Sequence, residues 1–168
     1  MKRLSLILLL VVGTILTVDA QSYDAKGSSQ LNAGLGFSGW GLPLYIGADF
    51  GVARDITVGF EGSFRSYGQS YTGTRYHSTI FGLSGNGNYH FNTLLKIPAK
   101  WDFYAGLNLG YFFWSSPTGY PGTGASGIGL GAQIGGRYFF NDHFGLNLEF
   151  GGGNVVGGGK FGITYRFK

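Results

Sequence analysis

The 168-residue sequence has no cysteine, which excludes a disulfide framework, a thiolate metal site, a thiol nucleophile and a lipid-modified cysteine anchor. Charge is also scarce: Asp, Glu, Lys and Arg make up 12% of residues, against about 25% in ordinary soluble domains. The formal net charge of +4 is small and scattered, so no basic footprint for nucleic acid exists. Three separated histidines without cysteine do not make a metal site. Beyond the N-terminus, no run approaches the ~18 apolar residues of a membrane-spanning helix. If this chain crosses a membrane, it must do so with strands.

Glycine and aromatic residues fill the space left by these absences, with 33 glycines and 17% aromatics. The pattern is plainest in WDFYAGLNLGYFFW, residues 101–114. Trp101, Phe103, Ala105, Leu107, Leu109, Tyr111 and Phe113 alternate with Asp102, Tyr104, Gly106, Asn108 and Gly110, the period of a strand with one apolar face. Thirteen steps of ~3.3 Å tilted by about 40° cover roughly 33 Å along a membrane normal. Tryptophan stands at both ends, as an interfacial anchor would.

Residues 1–20, MKRLSLILLLVVGTILTVDA, have the form of a secretory signal peptide: Lys2 and Arg3, an apolar run, then Val18 and Ala20 before a cleavage point ahead of Gln21. Removal takes Lys2, Arg3 and Asp19, leaving ten bases against seven acids, a charge of +3. Residues 21–29 read as a short periplasmic lead-in and 30–168 as one domain. Period-2 alternation recurs eight times. Arg54-Asp55 and Asn141–His143 read as short turns at one end, and SYGQSYTGTRYH (66–77) and SSPTGYPGTGASG (115–127) as long loops at the other. The expected fold is all-β, an eight-stranded antiparallel up-and-down transmembrane β-barrel. The segment NTLLKIPAK (92–100) is longer than that pattern requires.

This pattern, over 31–167, resembles the small eight-stranded outer-membrane β-barrels of Gram-negative bacteria, the family that includes OmpA-like and OmpX-like proteins. Phe161, Ile163, Tyr165 and Phe167 in the last strand resemble the family's C-terminal aromatic assembly signal, although Lys168 follows here. The resemblance implies export to the periplasm, insertion into the bacterial outer membrane by the barrel-assembly machinery, lipid around a monomer, and no cofactor.

With the apolar faces turned to lipid, the opposite faces line the lumen. They carry Asp49, Glu61, Asp102 and Glu149 against Arg65, Arg137, Lys160 and Arg166. Pairing is expected, because an unpaired charge inside a narrow barrel is costly. Antiparallel register puts Arg137 opposite Gly145 or Asn147, with Glu149 in diagonal reach, and Asp49 opposite or diagonal to Glu61. Such a network reads as a static plug or a gated polar path. Tyr67, Tyr71, Arg75 and Tyr76 in one loop and Tyr120 in another could form a surface-binding patch for an extracellular ligand, or anchor the rim.

GTGASG (122–127) matches the letter of a dinucleotide motif, but a strand rather than a helix follows it, so it is rejected. Acyl-transfer enzymes occur among barrels of this resemblance, which makes His77, Ser78 and His90 worth testing as nucleophile and base. Adjacent His77 and Ser78 face opposite ways in a strand, and no oriented carboxylate is evident for either histidine. No enzyme is expected. The function expected is a plugged or very narrow barrel serving as a membrane scaffold with surface-exposed binding loops. The alternatives are a porin-like narrow channel and, with the faces reversed, a soluble lipocalin-like carrier of an apolar ligand.

Overall fold

A computed structural model describes residues 25–39, 41–71, 73–119, 126–154 and 157–167. The expected signal peptide lies outside them. Eight strands close into one barrel: β1 (Ser29–Ser38), β2 (Leu44–Ala53), β3 (Ile56–Tyr71), β4 (Thr74–His90), β5 (Trp101–Ser115), β6 (Gly127–Phe139), β7 (Phe144–Gly153) and β8 (Gly158–Phe167). Every neighbouring pair is antiparallel, and β1 pairs with β8 from Ser29↔Phe167 to Ser38↔Gly158, which leaves no open edge.

The alternation decides which way each side chain points. Leu107, at mid-height of β5, is 69% exposed, and Ile46, Phe60, Ile128, Leu130 and Ile163 are exposed like it. Asp49, Thr57, Asn88, Asp102, Gln133, Arg137 and Thr164 are buried inside. This distribution overturns the reversed, lipocalin-like arrangement: among the described residues, polar side chains fill the interior and most large apolar ones face out. Aromatic rings band the exterior near the short-turn end, where Trp101 lies 4.7 Å from Tyr138 and Tyr165 lies 4.8 Å from both Phe144 and Phe167. Towards the other end Tyr111 and Phe113 meet at 4.8 Å, and Phe81 and Phe113 at 6.1 Å. An apolar band between two aromatic girdles is the surface of a transmembrane barrel.

Three segments differ from their expected form or complete it. The expected loop at 66–77 is mostly strand. β2 stops pairing with β3 at Leu44↔Phe64 and β5 stops pairing with β4 at Thr79↔Ser115, yet β3 and β4 continue together to Tyr71↔Thr74. A two-residue connection with Gly73 at φ +83° closes this hairpin, a backbone that favours glycine. Alternation missed it because the protruding part has no apolar face to mark.

The long connection at 92–100 contains a single helical turn, α1 (Asn92–Leu95), ended by Lys96 in the left-handed region. The Asn92 amide donates to the Trp101 carbonyl and its oxygen accepts from the Phe103 N–H, so the side chain continues the ladder that the helix interrupts. Thr93 Oγ1 donates to Asp55 Oδ1 at 2.6 Å, tying this connection to the Arg54-Asp55 turn. In the lead-in, residues 25–28 run beside the end of β2, where Ala25 donates to the Arg54 carbonyl and Gly27 to that of Gly51, and Ala25 is fully buried.

The outward face makes a direct demand of the solvent. Leu107→Arg should lower stability in phospholipid vesicles by about 2–4 kcal/mol, measured by equilibrium urea unfolding. An unchanged unfolding midpoint would mean that this face does not meet hydrocarbon.

Candidate functional site

Inward positions on all eight strands supply a hydrogen-bonded network across the lumen. Its lower part begins at Thr57 on β3, whose Oγ1 lies 2.9 Å from His90 Nε2 on β4. His90 Nδ1 lies 2.6 Å from Asp102 Oδ1 on β5, and because a carboxylate can only accept, Nδ1 donates. The Arg137 guanidinium on β6 then joins two carboxylates: Nη1 donates to Asp102 Oδ2 at 3.1 Å and Nη2 to Asp49 Oδ2 on β2 at 2.5 Å. Asn32 on β1 donates to the same Asp49 oxygen at 2.9 Å. Thr57, His90, Asp102 and Arg137 are all buried.

A second layer lies nearer the hairpin end. Lys160 Nζ on β8 sits 2.7 Å from both Glu61 Oε2 on β3 and Glu149 Oε1 on β7. Tyr104 links the layers: its ring lies under the Arg137 guanidinium, 4.4 Å from Cζ to centroid, and its hydroxyl donates to Glu149 Oε2 at 2.9 Å. Tyr45 and Asn147 close the opposite wall through a 2.9 Å bond, and Gln133 bridges Asn88 and Asn108 at 2.7 and 2.9 Å. Each layer therefore has one cation between two carboxylates. The void between them is about 10 Å³.

The structure brings six of the eight expected lumen charges, Asp49, Glu61, Asp102, Arg137, Glu149 and Lys160, into these layers and places Arg65 and Arg166 towards the two ends. Arg65 donates to Ser38 Oγ at 3.1 Å, and the Arg166 guanidinium stacks 3.7 Å from the centre of the Phe139 ring. Asp49 and Glu61 are diagonal neighbours, as expected, since their registers are Asp49↔Gly59 and Gly47↔Glu61. The expected diagonal from Arg137 to Glu149 is not made. Arg137 stands opposite Asn147 on β7, but on its other side it is directly opposite Asp102, and its second nitrogen crosses the lumen to Asp49. Glu149 is taken by its opposite neighbour Lys160 and by Tyr104.

The reading that no carboxylate orients a histidine is also corrected, because Asp102 holds His90. Thr57, His90 and Asp102 repeat the order of a hydroxyl, base and acid relay, but all three are fully covered, so no substrate reaches the hydroxyl. His77 is exposed and Ser78 buried, on opposite faces as alternation required. Of the surface patch, Tyr67 and Tyr76 share one face of the protruding hairpin, and Tyr67 packs edge-on against Trp114 at 6.4 Å. The side chains of Tyr71 and Arg75, and Tyr120 as a whole, lie outside the described residues. Phe161, Ile163, Tyr165 and Phe167 all fall on the outer face of β8. Among the described residues, no group of three or more side chains could hold a metal ion.

No protein-family model matches the sequence, and no curated protein matches it. Solved structures do match the fold. The outer membrane protein OprG from Pseudomonas aeruginosa superposes with a TM-score of 0.67 at 11% identity, over 89% of this chain and 99% of that one. The N-terminal β-barrel domain of Pseudomonas aeruginosa OprF gives 0.57 at 15%, over 84% and 98%. Neisserial surface protein A gives 0.54 at 16%, over 84% and 94%. The architecture is thus that of small eight-stranded outer-membrane barrels.

The two layers should differ in how much they stabilise the barrel. Arg137→Ala strands Asp49 and Asp102 in a covered site and should cost about 3–5 kcal/mol in vesicle unfolding. Lys160→Ala should cost less, because Lys160 keeps 24% of its side chain uncovered and Glu61 keeps 17%, so water can take over part of the lost pairing. Equal losses would contradict this ordering.

Proposed function

We propose that the protein is a monomeric scaffold in the bacterial outer membrane, reached by export through the periplasm, with a lumen closed to solutes and a binding surface on its protruding hairpin. The observation that carries this reading is the pair of cation bridges across the barrel. The 10 Å³ void between them holds on the order of one water, too little for a hydrated ion to pass. The hydroxyl of the one catalytic-looking relay is covered, which supports a role other than catalysis.

Two further features agree with this role. The β3–β4 hairpin extends beyond both flanking strands and presents Tyr67 and Tyr76, residues that give contact area at low entropy cost. The outward row Phe161, Ile163, Tyr165 and Phe167 supplies the aromatic face that the barrel-assembly machinery would read. The competing reading is a narrow channel, in which the same charges would gate a path. The larger chamber above Lys160, about 100 Å³, is the feature that favours it.

Conductance separates the two readings. The mature chain, refolded and shown to be inserted in planar bilayers, should give no reproducible unitary steps. Steps in the wild-type protein that change in Arg137→Ala or Glu149→Ala would replace the scaffold with a channel controlled by lumen charge.

A further inference from the structure

Above the Lys160 layer, towards the hairpin end, the lumen opens into a chamber of about 100 Å³. Four charged side chains line it: Glu61, Glu149, Lys160 and Arg65. Both carboxylates rest on the Lys160 ammonium at 2.7 Å, a trio with one negative charge in excess, which Arg65 balances at longer range. Arg65 is different. It is 3% exposed, no carboxylate among the described residues lies within ion-pair distance, and its single bond goes to a neutral hydroxyl, Ser38 Oγ, at 3.1 Å. Its Nε is buried without a hydrogen-bond partner among the described residues.

A guanidinium cannot shed its proton to escape this situation, and covered N–H donors served by one hydroxyl are costly to leave unmatched. The missing acceptors must then come from solution. We propose that this chamber is a binding site for a small monovalent carboxylate, held by Arg65 with the hydroxyls of Ser63 and Ser84 beside it.

Size and charge narrow the ligand. At about 10–15 Å³ per water, as for the void below, 100 Å³ accommodates several waters, room for an ion of the size of formate or acetate. A planar fork of N–H donors suits a carboxylate better than a spherical anion. Glu61 and Glu149 at the chamber floor make a dianion the poorer occupant, through like-charge repulsion. The site lies on the hairpin side of the Glu61–Lys160–Glu149 layer, so it does not depend on whether the lumen below conducts.

The test follows the backbone amide signals of Ser63 and Ser84 by NMR in the refolded, ¹⁵N-labelled mature chain, titrated with sodium formate at constant ionic strength. Wild-type protein should show saturable shifts. Arg65→Gln, with its strand-amide dispersion intact, should bind formate at least tenfold more weakly. Shifts that grow without saturation, or saturation retained in Arg65→Gln, would overturn the site. If Arg65→Gln does not fold, Arg65→Lys replaces the fork with a point charge. Formate affinity should then fall by a larger factor than chloride affinity, and equal falls would overturn the carboxylate assignment.

Discussion

Everything inside this barrel depends on the Arg137 guanidinium being held between Asp102 and Asp49. A barrel in lipid cannot hide polar groups from its surroundings by turning them outward, so they collect in the lumen, where each must find a partner. An eight-stranded barrel has an interior just wide enough for side chains to fill. Arg137 meets both conditions, being long enough to cross from β6 to β2 and carrying enough donors to serve two carboxylates at once. Through Asp102 it also orients His90, and through Asp49 it reaches Asn32. One side chain thereby couples strands that no backbone ladder joins.

Glycine makes the crossing possible. Inward-facing Gly47, Gly59 and Gly162 leave room beside Asp49, Glu61 and Tyr45. A Cβ at Gly162 would come within 2.6 Å of the Tyr45 hydroxyl, and one at Gly47 within 2.8 Å of the Phe60 carbonyl. The aromatic residues split into two jobs by the same alternation. Trp101, Tyr138, Phe144 and Tyr165 band the outside, while Tyr45, Tyr104 and Phe139 work inside as polar bridges or as a stacking surface for a cation.

Much of this was legible in the residues. Alternation identified the eight strands and the two short turns, and the charges gathered on one face, with aromatics at the strand ends, pointed to which face meets lipid. The lumen charges were legible as a set, but only some of their pairings were. Asp102↔Arg137 and Glu149↔Lys160 are direct cross-strand neighbours, so fuller use of register would have found them. Lys160 to Glu61 and Arg137 to Asp49 cross open lumen between strands that share no ladder, and nothing local in the chain signals a contact of that kind. The hairpin was read as loop for the opposite reason: polar and tyrosine-rich, it has no hydrophobic period. The turn of α1 escaped because one buried asparagine, not a repeating pattern, holds it.

The position of Lys160 carries a consequence for the order of events during assembly. Its ammonium is the only cation bonded to Glu61 and Glu149 among the described residues, and it sits on the last strand of the chain. Until that strand arrives, Glu61 and Glu149 lack the ammonium that joins them. The final strand therefore contributes more than the two ladders that seal the cylinder, because it brings the countercharge that lets the preceding strands settle. A chain stopped short of its end is left without this bridge as well as open.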